Sequence, residues 1–133
     1  LFQTKNPHRM LHYQYYLIES MKPGNVILGT TLETNRVYYD ISKAPYPHER
    51  AKAMTYLSKL NNTMVSIEPI MDFDVAEFHQ MILSCSPTFV SIGSDSGGCK
   101  LPEPSKEKIL ALIELLECQT EVRIKKNLQR LLK

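Results

Sequence analysis

The sequence predicts an α/β fold: a parallel sheet of about four strand–helix units, half of a (β/α) barrel, followed by a C-terminal helix or helix pair. Three observations predict it. Four short apolar runs recur along the chain, at Leu1–Gln3, Val26–Leu28, Met64–Ile67 and Phe89–Ile92. The stretches between them carry apolar residues at helical spacing, and such alternation argues for βαβ units with right-handed crossovers. Each run stops in a polar cluster: Thr4-Lys5-Asn6, Gly29-Thr30-Thr31-Leu32-Glu33, Glu68-Pro69 and Gly93-Ser94-Asp95-Ser96-Gly97. If the strands are parallel, all four clusters gather on one edge of one sheet, the edge where sheets and barrels of this class bind ligands. Residues 1–104 are read as the partial barrel and 105–133 as a helical segment packed on it or extending from it.

Leu1-Phe2-Gln3 reads as the end of a strand. Asn6 suits a cap and Pro7 a first helical turn, and Met10, Leu11, Tyr13, Leu17, Ile18 and Met21 recur at helical spacing, giving a helix over about 7–21. Lys22-Pro23-Gly24-Asn25 breaks it. Val26-Ile27-Leu28 is continuous and apolar, as expected of a strand buried on both faces. The stretch from Glu33 to Pro47 reads as a loop beyond a strand end, a common place for function. Pro47 opens a second helix with Ala51, Met54, Leu57 and Leu60 on one face, and Asn61-Asn62 ends it. A strand over 64–68 follows, and Pro69 stops its ladder. Asp72 or Asp74 suits the cap of a third helix with the stripe Val75, Phe78, Met81 and Ile82, closed by Ser86-Pro87. A fourth strand over 88–92 runs into a glycine-rich loop. Ser105 is an N-cap with Glu107 in the first turn. Ile109, Leu112, Ile113 and Leu116, then Ile124, Leu128 and Leu131 in phase, predict one long helix over 105–132 or two with a break near Gln119-Thr120.

Composition bounds the function. With 133 residues, 43% hydrophobic and 23% charged, the chain has the makings of one ordinary globular domain. No apolar run approaches the roughly 18 residues of a membrane span, and the first residues given show no basic-then-apolar signal pattern. A net charge of +2 is too small to argue for nucleic acid. The basic residues Arg123, Lys125, Lys126, Arg130 and Lys133 read as a solvated helix face. Cys85, Cys99 and Cys118 are an odd number with no paired spacing, so reduced thiols in the cytoplasm are the expectation. The chain starts at Leu1 inside a strand, and a half-barrel leaves long sheet edges bare. Both features lead us to expect further sequence upstream supplying the other half of the barrel. Self-association through the open edge is the other way to cover it.

Lys5, Glu33, Glu68 and Asp95 each follow a different strand. A lysine and three acids at one rim suit a charged small molecule or proton transfer, with Lys5 and Glu68 as the candidate catalytic pair. The plain structural alternative is that Lys5 pairs with a neighbouring carboxylate while the acids cap helices or bond to loop amides. Thr30, Thr31 and Asn35 offer hydroxyl and amide groups beside Glu33, suited to a ribose or a carboxylate and equally to loop capping. Ser94-Asp95-Ser96-Gly97-Gly98 can lay backbone amides against a ligand. His8 and His12 share a helical face, but the run His8-Arg9-Met10-Leu11-His12 lacks the Glu of a metalloprotease motif and reads as a surface pair. Met54, Met64, Met71 and Met81 read as core filler.

Taken in order, Leu1-Phe2-Gln3-Thr4-Lys5-Asn6-Pro7, Asn25 to Asn35 (Asn-Val-Ile-Leu-Gly-Thr-Thr-Leu-Glu-Thr-Asn), Val65-Ser66-Ile67-Glu68-Pro69-Ile70 and Val90-Ser91-Ile92-Gly93-Ser94-Asp95-Ser96-Gly97 resemble a known series. Over roughly residues 1–100 the chain resembles the C-terminal half of radical S-adenosylmethionine proteins. The nearest branch includes phage-encoded members and is distantly similar to spore photoproduct lyase. The resemblance implies the third to sixth strands of a (β/α)6 barrel. It implies Thr30, Thr31, Glu33 and Asn35 at the cofactor ribose, Ile67 and Glu68 near its adenine and methionine, and Gly93, Ser94 and Asp95 at its adenine, with Lys5 on the substrate side. The sequence departs from the family in lacking the three-cysteine motif that binds a [4Fe–4S] cluster and the glycine-rich strand after it, both of which belong upstream of Leu1. The expectation is therefore a C-terminal portion of a radical S-adenosylmethionine-like enzyme that uses S-adenosylmethionine and a cluster as a whole, while this chain alone holds neither. Its substrate class, small molecule or nucleic acid, is open. The alternatives are a non-redox α/β module that binds a small ligand or nucleotide, and a domain that docks a partner through its basic C-terminal helix.

Overall fold

The computed structural model describes residues 1–20 and 26–133. Five strands alternate with four helices: β1 (Phe2–Thr4), α1 (His8–Ser20), β2 (Ile27–Thr31), α2 (Pro47–Leu57), β3 (Asn62–Ile67), α3 (Val75–Ser84), β4 (Pro87–Ile92), α4 (Lys106–Glu117) and β5 (Glu121–Ile124), with a final 3-10 helix, Lys126–Leu131. The strands form one sheet in the order β1-β2-β3-β4-β5, and every pairing is parallel. Each strand is laid beside the one before it, so right-handed crossovers put the helices on one face. A doubly wound sheet would reverse direction and cover both faces; this one is wound as a barrel is.

The α/β class and the βα alternation are those the sequence predicts. The predicted turn at Lys22–Asn25 and the end of the first helix at Met21 lie outside the described residues, as do the side chains of Tyr15, Leu17 and Ile18.

Strand alternation divides the sheet. Leu28, Val65, Ile67, Val90 and Ile92 point toward the helices, where they are buried with Met54, Leu57, Phe78, Ile82, Ile109 and Leu112. Phe73 and Phe78 meet there with ring centroids 5.0 Å apart. The opposite face carries Gly29, Thr31, Met64, Ser66, Phe89, Ser91 and Arg123 along the same registers. Gly29 is small for a reason: a Cβ there would lie 2.6 Å from the Met64 sulfur.

One prediction fails in the C-terminal segment. Residues 105–132 are neither one helix nor a helix pair joined by a simple break. Helix α4 ends at Glu117, and Glu121–Ile124 form a fifth parallel strand beside β4. The exposed ladder of β4 supplies the reason, since a parallel partner satisfies backbone groups that a helix there would leave bare. The Thr120 hydroxyl donates to the Pro87 carbonyl at 2.8 Å and fixes the register. The basic tail is likewise not a solvated helix face. The Arg123 guanidinium lies 3.6 Å from the centre of the Phe89 ring, Lys125 pairs with Glu68, and Arg130 pairs with Glu103. The second helix also stops three residues short of Leu60, which is exposed.

Candidate functional site

The C-terminal edge of the sheet collects a polar group after every strand: Lys5, Glu33, Glu68, Ser94 with Asp95, and Lys125. Leu32 and Ile67 are fully buried on the helix side, so alternation sends Glu33 and Glu68 out on the other face.

Glu33 is the centre of the first cluster. One carboxylate oxygen takes the Lys5 ammonium and the other accepts from Arg50 Nη2 at 2.8 Å. Arg50 Nη1 donates to the Thr31 carbonyl. Both Glu33 and Arg50 are buried, at 6% and 3% exposure. Burial alone pushes the Glu33 carboxyl up; hydrogen bonds and charge from Arg50 and Lys5 outweigh it and hold its pKa below the ordinary value. A cavity of about 270 Å³ opens beside this cluster, lined by Lys5, Glu33 and Arg50 together with residues of the 34–47 loop, Met71 and Cys99. That loop is anchored by Arg36, which pairs with Asp72 and, at 2.6 Å, with Asp74. The Arg36 guanidinium holds the Asp74 carboxyl down at about 2, against a smaller opposing push from burial and with help from Asn35.

Glu68 is the centre of the second cluster. Lys125 pairs with one oxygen and Asn127 Nδ2 donates to the other at 2.7 Å. Burial pushes this carboxyl up less than Lys125 and Asn127 pull it down. Asn127 Nδ2 also reaches the Ser94 carbonyl at 3.0 Å, and the Ser94 hydroxyl donates to the Asn127 carbonyl at 2.6 Å. A Cβ on Gly93 would come within 2.6 Å of Glu68 Oε1, so this position requires glycine while the cluster is assembled.

The sequence-predicted residues therefore share one rim but not one pocket. Lys5 and Glu33 line the cavity. Thr30 is fully buried, and its hydroxyl donates to the Thr4 carbonyl at 2.8 Å. The Thr31 hydroxyl accepts from Gln3. Asn35 exchanges two hydrogen bonds with Asp74, holding the loop rather than facing the cavity. Ile67 is a core residue whose carbonyl accepts from Gly93 N at 3.0 Å. Asp95 turns its carboxylate onto the backbone amides of Gly97 and Cys99. Lys5 and Glu68 belong to different clusters. Arg50, Lys125 and Asn127 are the participants that sequence reasoning missed.

Among the described residues, no group of three or more His, Cys, Asp or Glu side chains is placed to hold a metal ion. Cys85 is buried, and desolvation pushes its thiol up to about 12; Cys99 and Cys118 are exposed on separate elements. These residues do not fit a cluster. A carboxylate has about four lone-pair sites, so Glu33 keeps acceptor capacity beyond its two cations. No described helix is long and apolar enough to cross a membrane. Comparison with protein-family models, with curated protein sequences and with solved structures finds no match to this chain.

Proposed function

We propose that this chain is the C-terminal part of a radical S-adenosylmethionine-like enzyme, contributing the nucleoside side of the cofactor site and one wall of the substrate pocket. The observation that carries the reading is Glu33, a buried ionised carboxylate at a strand end, facing a cavity on the ligand-binding edge of a sheet wound as a barrel is. In this reading Glu33 accepts from a sugar hydroxyl, and Arg50 fixes its orientation and its charge. In the same reading the Gly93–Asp95 backbone is the part of the rim that meets the adenine. S-adenosylmethionine would supply the radical chemistry, at a cluster that the cysteines of this chain would not hold. The same reading puts the protein in the cytoplasm, where its free thiols stay reduced. The test is the coding sequence immediately upstream of Leu1. A Cys-x3-Cys-x2-Cys motif followed by a glycine-rich strand supports the reading; a start codon within a few residues of Leu1 sinks it.

A second reading, a non-redox small-ligand module, is favoured by one observation: the cavity joins the charged groups of Lys5, Glu33 and Arg50 to an apolar wall that includes Tyr38, Met71 and Leu101. Ligand binding by a stable dimer of a protein that starts at Leu1 supports it; a monomer without affinity for nucleotides or small anions counts against it.

A further inference from the structure

We propose that the cavity beside Glu33 takes a planar organic anion, with its ring against the tyrosine- and proline-lined wall and its negative group on Arg50. This rests on the reading of the rim as a ligand site and names the chemistry that the substrate side selects.

Three observations lead there. The first is an unused donor. Arg50 is 3% exposed and lines the cavity; both of its terminal nitrogens are engaged, yet its buried Nε–H has no partner among the described residues. A buried donor without an acceptor is rare in folded proteins and calls for one. The second is charge. On the cavity lining Lys5 and Arg50 share the single carboxylate of Glu33, while Arg36, also on the lining, is matched together with Lys108 by Asp72 and Asp74 behind it. One positive charge is left over, which suits a ligand carrying one negative group. The third is the wall. Tyr38, Ile41, Pro45, Tyr46, Met71 and Leu101 present apolar and aromatic surface to the same space. Flat rings are held by such surface, and arginine recognises carboxylate and phosphate alike. The volume, about 270 Å³, exceeds the ~150 Å³ that holds a benzene and lies at the small end of ligand pockets.

Cys99 lines the cavity and Cys118 does not, and both thiols are exposed. Their relative rates of alkylation by N-ethylmaleimide therefore report occupancy. Four probes separate the parts of the proposal: 4-hydroxybenzoate and uridine 5′-monophosphate carry ring and anion, while phenol carries only the ring and inorganic phosphate only the anion. The expected result is that at least one ring-bearing anion slows Cys99 alkylation several-fold, leaves Cys118 unchanged and moves the Arg50 Nε–H resonance of the 15N-labelled protein. Which of the two does so identifies a carboxylate or a phosphate. Arg50→Lys keeps a cation beside Glu33 and removes the Nε–H, and should abolish the protection. Should that variant not fold, Tyr38→Ala, on the cavity wall, should weaken the protection at least several-fold. The inference is overturned if phenol or phosphate alone protects as well, if Arg50→Lys is protected like the parent, or if no probe protects. S-adenosylmethionine protecting Cys99 where neither anion does leaves the proposed function standing and removes this inference alone.

Discussion

Glu33 and Glu68 leave neighbouring strands on the same face of the sheet, and each is held by a lysine, yet their surroundings differ. Glu33 is fixed from beneath by Arg50 of α2, the helix that follows its own strand, and is almost fully buried. Glu68 is fixed by Lys125 and Asn127, which come from the far end of the chain and stand nearer to solvent. One carboxylate is thus part of a βα unit and sits beside a cavity. The other fastens the last strand and the 3-10 helix to the middle of the sheet. Two acids that look alike at two strand ends have separate settings: the first lines a cavity and the second fastens the end of the chain to the sheet.

The largest effect is expected of Glu33→Gln, which leaves the buried Arg50 guanidinium without its counter-charge; stability in urea should fall by about 3 kcal/mol. A loss near zero means that Arg50 is hydrated in solution and that the two clusters are alike. Next is Gly93→Ala, whose new methyl collides with Glu68 and Asn127; about 1–2 kcal/mol is expected. The same change in a Glu68→Ala background should cost visibly less, and equal costs in the two backgrounds separate Gly93 from the latch. Glu68→Gln alone should cost about 0.5–1 kcal/mol and depend on salt, because its lysine partner is half exposed. The smallest effect is on the acid limb of the stability curve. Both carboxyls are held below their ordinary pKa, so the unfolded chain binds their protons more readily. Their contribution is full above about 4.3 and is lost as pH falls through the folded value. Glu33→Gln should flatten that limb more than Glu68→Gln; the reverse order contradicts the assignment of the tighter cluster.

Much of this was legible in the sequence. The runs at Met64–Ile67 and Phe89–Ile92 lie within β3 and β4, whereas Val26–Leu28 only overlaps the start of β2, which runs on through Gly29-Thr30-Thr31 because those small side chains pair in register with Met64, Val65 and Ser66. Arg50 was not found, although a signal existed. It lies one turn before Met54 and beside Ala51, on the apolar stripe of α2, and a cation there implies a buried partner. Strand β5 was hidden by a coincidence of period. Ile124, Leu128 and Leu131 fall at helical spacing, while Glu121-Val122-Arg123-Ile124 alternates as a strand does; only the bare ladder of β4 decides between the two. Asn127 carried no local signal, since its role exists only once β5 has paired.

The order in which the strands lie also has a consequence for how the protein opens. Every strand pairs only with its neighbours in sequence, so no strand is threaded between two earlier ones. The molecule can come apart from its margins, one βα unit at a time, without disturbing the pairings that remain. Amide exchange should follow that geography. It is expected to be fastest in Phe2–Thr4 and Glu121–Ile124, which have one neighbour each, and slowest in Met64–Ser66 at the centre. The rim then divides by persistence: Lys5 and Lys125 are released early, while Arg50 keeps hold of Glu33 for as long as the middle of the sheet survives.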